Sequence, residues 1–252
     1  DINQQDYGIS ERRRGLVDKV RRLTVFDPDT RTQIFESDEM SFSGYLQFVT
    51  SGGIPKRCSA SLIAPNWIIT AAHCVNNGRG SLFGEWYSGW NFYPGLVSAT
   101  QISKLGIPAV QAWTFYEWTN SGFTLNWDYD IAWIELDVID TGITPLSLAY
   151  DDSIENNANF NIVGYPGDKP WLTRWHQFCS WEVVTSDIIY TKSCDITGGS
   201  SGSPVYRLSS TTFQRTIQCI VSWENTAYNG CARITQDKVD AICGSIGNCK
   251  DS

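Results

Sequence analysis

The chain has 252 residues, of which 42% are hydrophobic and 18% are charged. This composition excludes a disordered chain, a collagen-like chain and a simple coiled coil, because enough apolar side chains are present for a packed core. The 21 glycines, 9 prolines and 11 each of Trp, Tyr and Phe favour short strands and tight turns over a helical bundle. The net charge of −8 argues against nucleic acid as a partner, since a phosphate backbone binds basic surfaces.

The chain opens with a basic leader. Residues 1–23 carry a net charge of +2, whereas residues 24–252 carry −10. The leader has only a weak apolar pattern, so we expect residues 1–23 to be an N-terminal extension or pro-segment that is cut near Arg21 and Arg22. A permanent arm, docked on the acidic body by its charge and its apolar side chains, is the alternative.

Short apolar runs bounded by Gly, Pro, Asn or Asp follow from Gly44 onward and predict β-strands. In chain order these runs are Tyr45–Val49, Ser59–Ile63, Trp67–Thr70, Ile131–Leu136, Phe160–Val163, Trp175–Val184, Ile188–Cys194, Thr216–Trp223 and Cys231–Ile234. A loop-like passage at 140–152 divides two β subdomains. Helical spacing after Thr235 predicts a helix at the C-terminus. No apolar run approaches the roughly 20 residues of a membrane helix.

The eight cysteines predict disulfides. They form no C-x-x-C pair, and the only histidines are His73 and His176, so four disulfides are more economical than a zinc site. Disulfides place the protein in an oxidising compartment, and we expect secretion. Cys74 can join Cys58 on the preceding strand pair. Cys179 with Cys194 fits across a hairpin, and the other pairings stay open.

Three segments carry candidate chemistry. His73 directly follows an apolar strand, Asp128 and Asp130 begin another strand, and Ser201 lies in the glycine-rich turn 197–204. Glycines on both sides of a serine permit a tight bend that exposes the hydroxyl and lets two backbone N–H groups converge. Taken singly, His73 fits a structural histidine, the Asp128–Asp130 segment fits a turn or a cap, and the glycine-rich turn fits a flexible linker. Together they fit nucleophilic catalysis, in which imidazole activates serine and a carboxylate orients the imidazole.

With these residues in the order His, Asp, Ser, the chain resembles the chymotrypsin-like serine endopeptidases, and within them the branch of V8 protease and the bacillus glutamyl endopeptidases. The segments 164–175 and 29–34 also resemble that branch, and the likeness covers about residues 25–240. It implies an all-β fold of two antiparallel six-stranded β-barrels with a C-terminal α-helix. Residues 24–145 would form the first barrel and residues 146–252 the second barrel with the helix.

The resemblance also assigns roles. It makes His73 the general base, Asp130 its orienting carboxylate and Ser201 the nucleophile, with Asp128 as the alternative carboxylate. Asp130 is favoured because the six residues after it match the family's strand in register. The oxyanion hole would be the backbone N–H groups of Gly199 and Ser201. The implied substrate-binding residues are Asp195, Ile196, Val221, Ser222, Trp223 and Glu224. His176 has no matching role.

Specificity departs from the family pattern. Val221 and Ile196 stand where the glutamyl enzymes carry a histidine and a Thr or Ser, so recognition of glutamate before the scissile bond (P1) is not implied. Asp195, six residues before Ser201, and Glu224 at the pocket entrance instead predict Arg or Lys at P1. A structural role for Asp195 is the alternative. Ser200 and Thr197 likewise replace the aspartate and cysteine of trypsin-type enzymes.

The sequence therefore predicts a secreted, monomeric serine endopeptidase that cleaves polypeptide substrates through an acyl-enzyme, without metal or cofactor and without nucleic acid or membrane partners. The alternative is a non-catalytic protease homologue that acts as a protein-binding module. The stretch 83–129 holds 13 aromatic residues. They could form a shelf for a sugar or peptide, but core and loop packing is favoured.

Overall fold

The structure is a computed structural model. It describes residues 25–78, 84–102, 106–121, 125–152, 154, 157–224 and 227–247. The predicted pro-segment, residues 1–23, lies outside the described residues, as does Cys249.

A closed antiparallel barrel of six strands occupies the first half of the described chain. It follows a short strand, β1 (Thr32–Ile34), which belongs to the second sheet. The barrel strands are β2 (Ser43–Val49), β3 (Pro55–Ala64), β4 (Trp67–Thr70), β5 (Ser88–Pro94), β6 (Ile107–Thr114) and β7 (Ala132–Leu136). They close in the order β2-β3-β4-β7-β6-β5, and alternate side chains fill the interior with residues such as Leu46, Leu62 and Phe92.

The second sheet has nine strands among the described residues. Besides β1 they are β8 (Ser147–Leu148), β9 (Ala158–Gly164), β10 (Arg174–Trp181), β11 (Val183–Val184), β12 (Ile188–Thr191), β13 (Pro204–Leu208), β14 (Arg215–Glu224) and β15 (Asn229–Arg233). β11 follows β10 after one residue and pairs with β12, so the sheet bends back on itself. The predicted all-β fold with a C-terminal helix is confirmed: the first sheet closes into a six-stranded barrel, and the second is a nine-stranded, barrel-like sheet, called the second barrel below.

Two α-helices are present in the described chain, the short α1 (Tyr116–Thr119) and α2 (Gln236–Ile246). α2 begins after Thr235 and ends at Gly247, whose φ of 87° is the left-handed conformation of a helix C-cap. The predicted C-terminal helix is therefore confirmed. Neither helix has the length and apolarity that a membrane crossing requires.

Disulfides link neighbouring strands and turns. Cys58 pairs with Cys74, Cys179 with Cys194 and Cys219 with Cys231. The first two pairings agree with the expected ones, and the third joins β14 to β15. Cys243 in α2 is disulfide-bonded as well.

Five strands of the described chain were not predicted from the sequence: β1, β5, β6, β8 and β13. β5 contains a glycine and ends in proline, which are poor strand formers, but its backbone pairs with β2 and β6. β5 and β6 lie in the aromatic stretch 83–129. Within it Phe92 and Trp118 are fully buried, and most of the other described aromatic rings pack against the first core, which fits the packing interpretation.

Candidate active site

Strand pairing brings the histidine and the aspartate together. β4 and β7 are antiparallel, and Thr70 pairs with Ala132, so the residues after β4 and before β7 meet at one end of the first barrel. His73 lies in a 3-10 turn just after β4, and Asp130 immediately follows another 3-10 turn before β7. The Cys58–Cys74 disulfide ties the histidine turn to β3.

Asp130 is fully buried and binds His73 twice. Its Oδ2 lies 2.7 Å from Nδ1 of His73, and its Oδ1 accepts the backbone N–H of His73 at 2.8 Å. The hydroxyl of Ser222 donates to the same Oδ2 at 2.5 Å. Asp128, the alternative carboxylate, lies apart from this network, and burial together with the charge of Asp187 raises its pKa. The geometry thus selects Asp130 as the carboxylate that holds the imidazole.

The environment of His73 raises the pKa of its imidazole. Burial by itself lowers the pKa of the imidazole, but the charge of Asp130 and its hydrogen bond outweigh burial, and the pKa rises above the ordinary value of 6.5. The Asp130 hydrogen bond at Nδ1 leaves Nε2 to accept a proton from a neighbouring hydroxyl when the ring is neutral.

The turn that carries Ser201 packs against β3, the end of β4 and β14. The carbonyl of Ser201 accepts the N–H of Ser59, and the N–H of Gly202 donates to Val221, the residue before Ser222. A β-carbon on Gly202 would lie 2.1 Å from the Ser59 carbonyl oxygen and 2.2 Å from Oγ1 of Thr70. Only glycine fits so close an approach, and its φ of 83° also favours glycine.

The expected oxyanion donors lie in the same turn. Gly199 has a φ of 98°, and its carbonyl accepts the Ser59 hydroxyl at 2.9 Å. Within the described part of the chain, the N–H groups of Gly199 and Ser201 donate to no protein acceptor. Both donors are therefore available to a substrate carbonyl.

Asp195 anchors the N-terminal segment. Its Oδ1 accepts the N–H of Phe26 at 2.7 Å, and its Oδ2 accepts the N–H of Thr30 at 3.3 Å and the side-chain amide of Gln177 at 2.8 Å. Burial raises the pKa of Asp195 in spite of these bonds. The cavity beside Asp195 and Ser200 has about 20 Å³, which admits one water molecule and no Arg side chain.

A second contact of this segment, not found from the sequence, reaches the nucleophile turn. Arg31 binds the two carboxylate oxygens of Asp168 with hydrogen bonds of 2.9 and 2.6 Å and also binds Asp29. Asp168 in turn accepts the hydroxyl of Thr197 at 2.6 Å. Burial raises the pKa of Asp168, but Arg31 and Thr197 outweigh it and hold the pKa below its usual value. Asp29 and Asp168 lie in the two segments whose likeness to the V8 branch is visible in the sequence.

The remaining predicted substrate-binding residues divide into two groups. Ile196 and Val221 are buried in the hydrophobic core of the second barrel. Ser222, Trp223 and Glu224 end β14 beside the nucleophile turn, and Glu224 lines a cleft of about 710 Å³.

The described residues contain a single group of potential metal ligands, Cys58, His73 and Cys74, and both cysteines form a disulfide with each other.

His176 lies elsewhere, on β10, with its Nε2 2.9 Å from Oδ1 of Asn161 on β9.

The chain is similar to known peptidases in sequence and in fold. The family model of the trypsin-like peptidase domain matches residues 58–211. The chain is 27% identical to glutamyl endopeptidase of Bacillus licheniformis over 87% of this chain and 68% of that protein. It is 25% identical to human serine protease 23 over 81% of this chain and 56% of that protein. A solved Glu endopeptidase superposes with a TM-score of 0.73 at 22% identity, covering 89% of this chain and 100% of that one.

Proposed function

The chain belongs to the trypsin-like peptidase family, and we propose that it is a secreted serine endopeptidase whose catalytic residues are His73, Asp130 and Ser201. One observation carries the assignment. A single buried carboxylate, that of Asp130, binds both His73 and Ser222, while the turn holding Ser201 is hydrogen-bonded to Ser59 of β3 and to Val221, the residue before Ser222.

The chemistry follows from the positions of these groups. The Ser201 hydroxyl attacks the carbonyl carbon of the scissile bond while Nε2 of His73 takes its proton, and Asp130 stabilises the imidazolium. The N–H groups of Gly199 and Ser201 bind the oxyanion and contribute about 3 kcal/mol each to the transition state. His73 then protonates the leaving amine, and water hydrolyses the acyl-enzyme ester by the same route.

Secretion is supported by the disulfides. Among the described residues, one disulfide lies within the first barrel and two lie within the second, and such bonds persist in oxidising compartments.

A fluorophosphonate probe tests the nucleophile directly. The wild-type chain should be labelled and should hydrolyse peptides, and Ser201→Ala should lose both properties while keeping its melting temperature. Ser200→Ala is the matched control, because it removes the neighbouring hydroxyl and should keep the labelling. No labelling of the folded wild-type chain would favour the alternative of a non-catalytic binding module.

Preference for Arg or Lys at P1 stays a prediction and belongs to the same proposal. Two carboxylates, Asp195 and Glu224, support it, but Asp195 is reached only if the segment that binds it moves aside. A P1 peptide library compared between wild type and Asp195→Asn gives the test. Selection of Glu or of large apolar residues at P1 by the wild type would contradict this prediction.

A further inference from the structure

Arg57 lies at the end of the cleft opposite β14, beside the nucleophile turn. Its guanidinium sits over two glycines: a β-carbon on Gly199 would lie 3.6 Å from Nε of Arg57, and one on Gly167 would lie 3.2 Å from Nη2. Gly199 is one of the proposed oxyanion donors. Arg57 therefore places a positive charge close to the peptide bond that is cut.

The strand geometry explains why Arg57 points there. Side chains two apart on a strand share a face, so Arg57 and Ser59 of β3 face the same way, and Ser59 donates to the Gly199 carbonyl. Tyr45 and Gln47 pair with these two residues across β2 and line the same cleft. Cys58, on the opposite face, is buried in the barrel core.

The two strands that flank the nucleophile turn also fix the direction in which a substrate would lie along the cleft. The turn is bonded to Val221 of β14 on one side and to Ser59 of β3 on the other. If residues 222–224 pair with the backbone of the acyl part of the substrate, the leaving part must run toward β3. The side chains after the scissile bond, P1′ and P2′, then pass Arg57.

The charged groups of the described residues around the cleft do not form an ion pair with Arg57, so its guanidinium can bind a substrate. No carboxylate of the described residues lies within ion-pair distance of its guanidinium. Asp168, which lines the same cleft, is engaged by Arg31. Lys56 is exposed at the cleft edge and adds a second positive charge in a protein whose net charge is −8.

We infer that Arg57 is a specificity-determining residue that selects Glu or Asp at P1′ or P2′ of the substrate. The inference rests on the proposed peptidase function and concerns the leaving part of the peptide. A half-buried guanidinium can bind a carboxylate with two parallel hydrogen bonds, which an amide of the same shape does not match.

Matched peptides test this inference. Each pair shares one acyl half and differs only in Glu against Gln, or Asp against Asn, at P1′ or P2′. We expect wild type to hydrolyse the acidic member with a kcat/KM about three- to tenfold higher at low salt, and added salt should reduce the difference. In Arg57→Gln the ratio should fall to about one, because the rate on the acidic member should fall more than the rate on the amide member. Arg57→Glu should favour Lys at the same position.

Controls separate this effect from general ones. Arg215→Gln removes the same charge from the start of β14, seven residues from Ser222, and should leave the ratio unchanged. An equal loss of rate on both members of a pair in Arg57→Gln would overturn the inference, since Arg57 would then only hold the turn. Equal hydrolysis of both members by the wild type would also overturn it and leave the peptidase function standing. If wild type cleaves neither member and no probe labels it, the function itself fails.

Discussion

At the scale of single residues, the hydrogen bonds of the Asp130 carboxylate both stabilise its buried charge and orient His73. It accepts bonds from the ring and backbone of His73 and from the hydroxyl of Ser222, so the histidine turn is fixed in both rotation and position. A buried carboxylate tolerates its charge only with such partners, because burial without hydrogen bonds is costly. The same contacts that stabilise Asp130 therefore orient the general base.

Replacing this carboxylate by an amide should remove most of the activity. Asp130→Asn should lower kcat by about 10⁴, because the amide can hold the wrong histidine tautomer, with Nδ1 as the acceptor. Asp128→Asn is the matched control and should keep activity near wild type. Steady-state rates of both purified variants provide the measurement. A harmless Asp130→Asn and a crippling Asp128→Asn would reverse the assignment.

The raised pKa of His73 predicts how activity depends on pH. The ring must be neutral to accept the Ser201 proton, so kcat/KM should fall as pH drops through the pKa of His73, which lies above 6.5. Asp130 is the cause of the increase, so in Asp130→Asn the acidic limb of the residual activity should move to lower pH. A pH–rate profile of both proteins measures the shift, and an unmoved limb would assign it to another group.

At the scale of elements, the segment from Phe26 to Arg31 acts as a clasp on the second barrel. Its backbone binds Asp195, and its Arg31 side chain binds Asp168, which holds Thr197 at the start of the nucleophile turn. Through Asp168, the clasp thus connects the N-terminal part of the described chain to Thr197, two residues before the oxyanion donor Gly199. We therefore expect changes in the clasp to alter catalysis as well as stability.

Arg31→Gln should lower kcat/KM by about tenfold, chiefly through kcat, because Asp168 loses its two-bond partner and holds Thr197 less firmly. Arg31→Lys should rescue little, since an ammonium does not reproduce the planar fork. Lys169→Gln is the control: it removes an ion pair to Asp29 from the same cluster without touching Asp168. Kinetics and melting temperatures of the three variants would be compared. Equal rates in Arg31→Gln and Lys169→Gln would contradict the connection.

At the scale of the whole molecule, each barrel supplies part of the site, and the β3 and β14 contacts of the Ser201 turn join them. His73 and Asp130 come from the first barrel, and Ser201 and Ser222 from the second. The Ser222–Asp130 hydrogen bond crosses between them over 92 residues of sequence. Folding of one barrel alone cannot assemble the proposed triad.

The leader gives a prediction at this scale. We expect limited trypsin digestion of the native protein to cut near Arg22 and to raise peptidase activity, because the sequence predicts that residues 1–23 are a pro-segment. N-terminal sequencing locates the cut, and activity is measured before and after. A bond that resists digestion, or unchanged activity after the cut, would make residues 1–23 a permanent structural arm.

Local sequence patterns were sufficient to predict many of the secondary-structure elements and candidate site residues of this protein. The glycines around Ser201, the histidine after an apolar strand and the helical spacing after Thr235 are short-range features. The spacing predicted the C-terminal helix, and the combined motifs gave the family resemblance that implied the two-barrel fold and the catalytic roles. Strand alternation and cysteine positions predicted most strands and two disulfide pairings, because neighbours in a hairpin are also close in sequence. β5 was missed, since its pairing with β2 overrides its weak intrinsic preference.

The strand register favoured Asp130 over Asp128, but only the tertiary structure shows which of the two carboxylates contacts His73, because they lie two residues apart and face different surroundings. It also gave Asp195 a structural partner: the N–H of Phe26, 169 residues away along the chain. The closeness of Arg57 to Gly199 was equally invisible in sequence. Contacts of this kind depend on how two barrels and one segment dock, and no local pattern of residue types encodes the distance between groups that far apart in the chain.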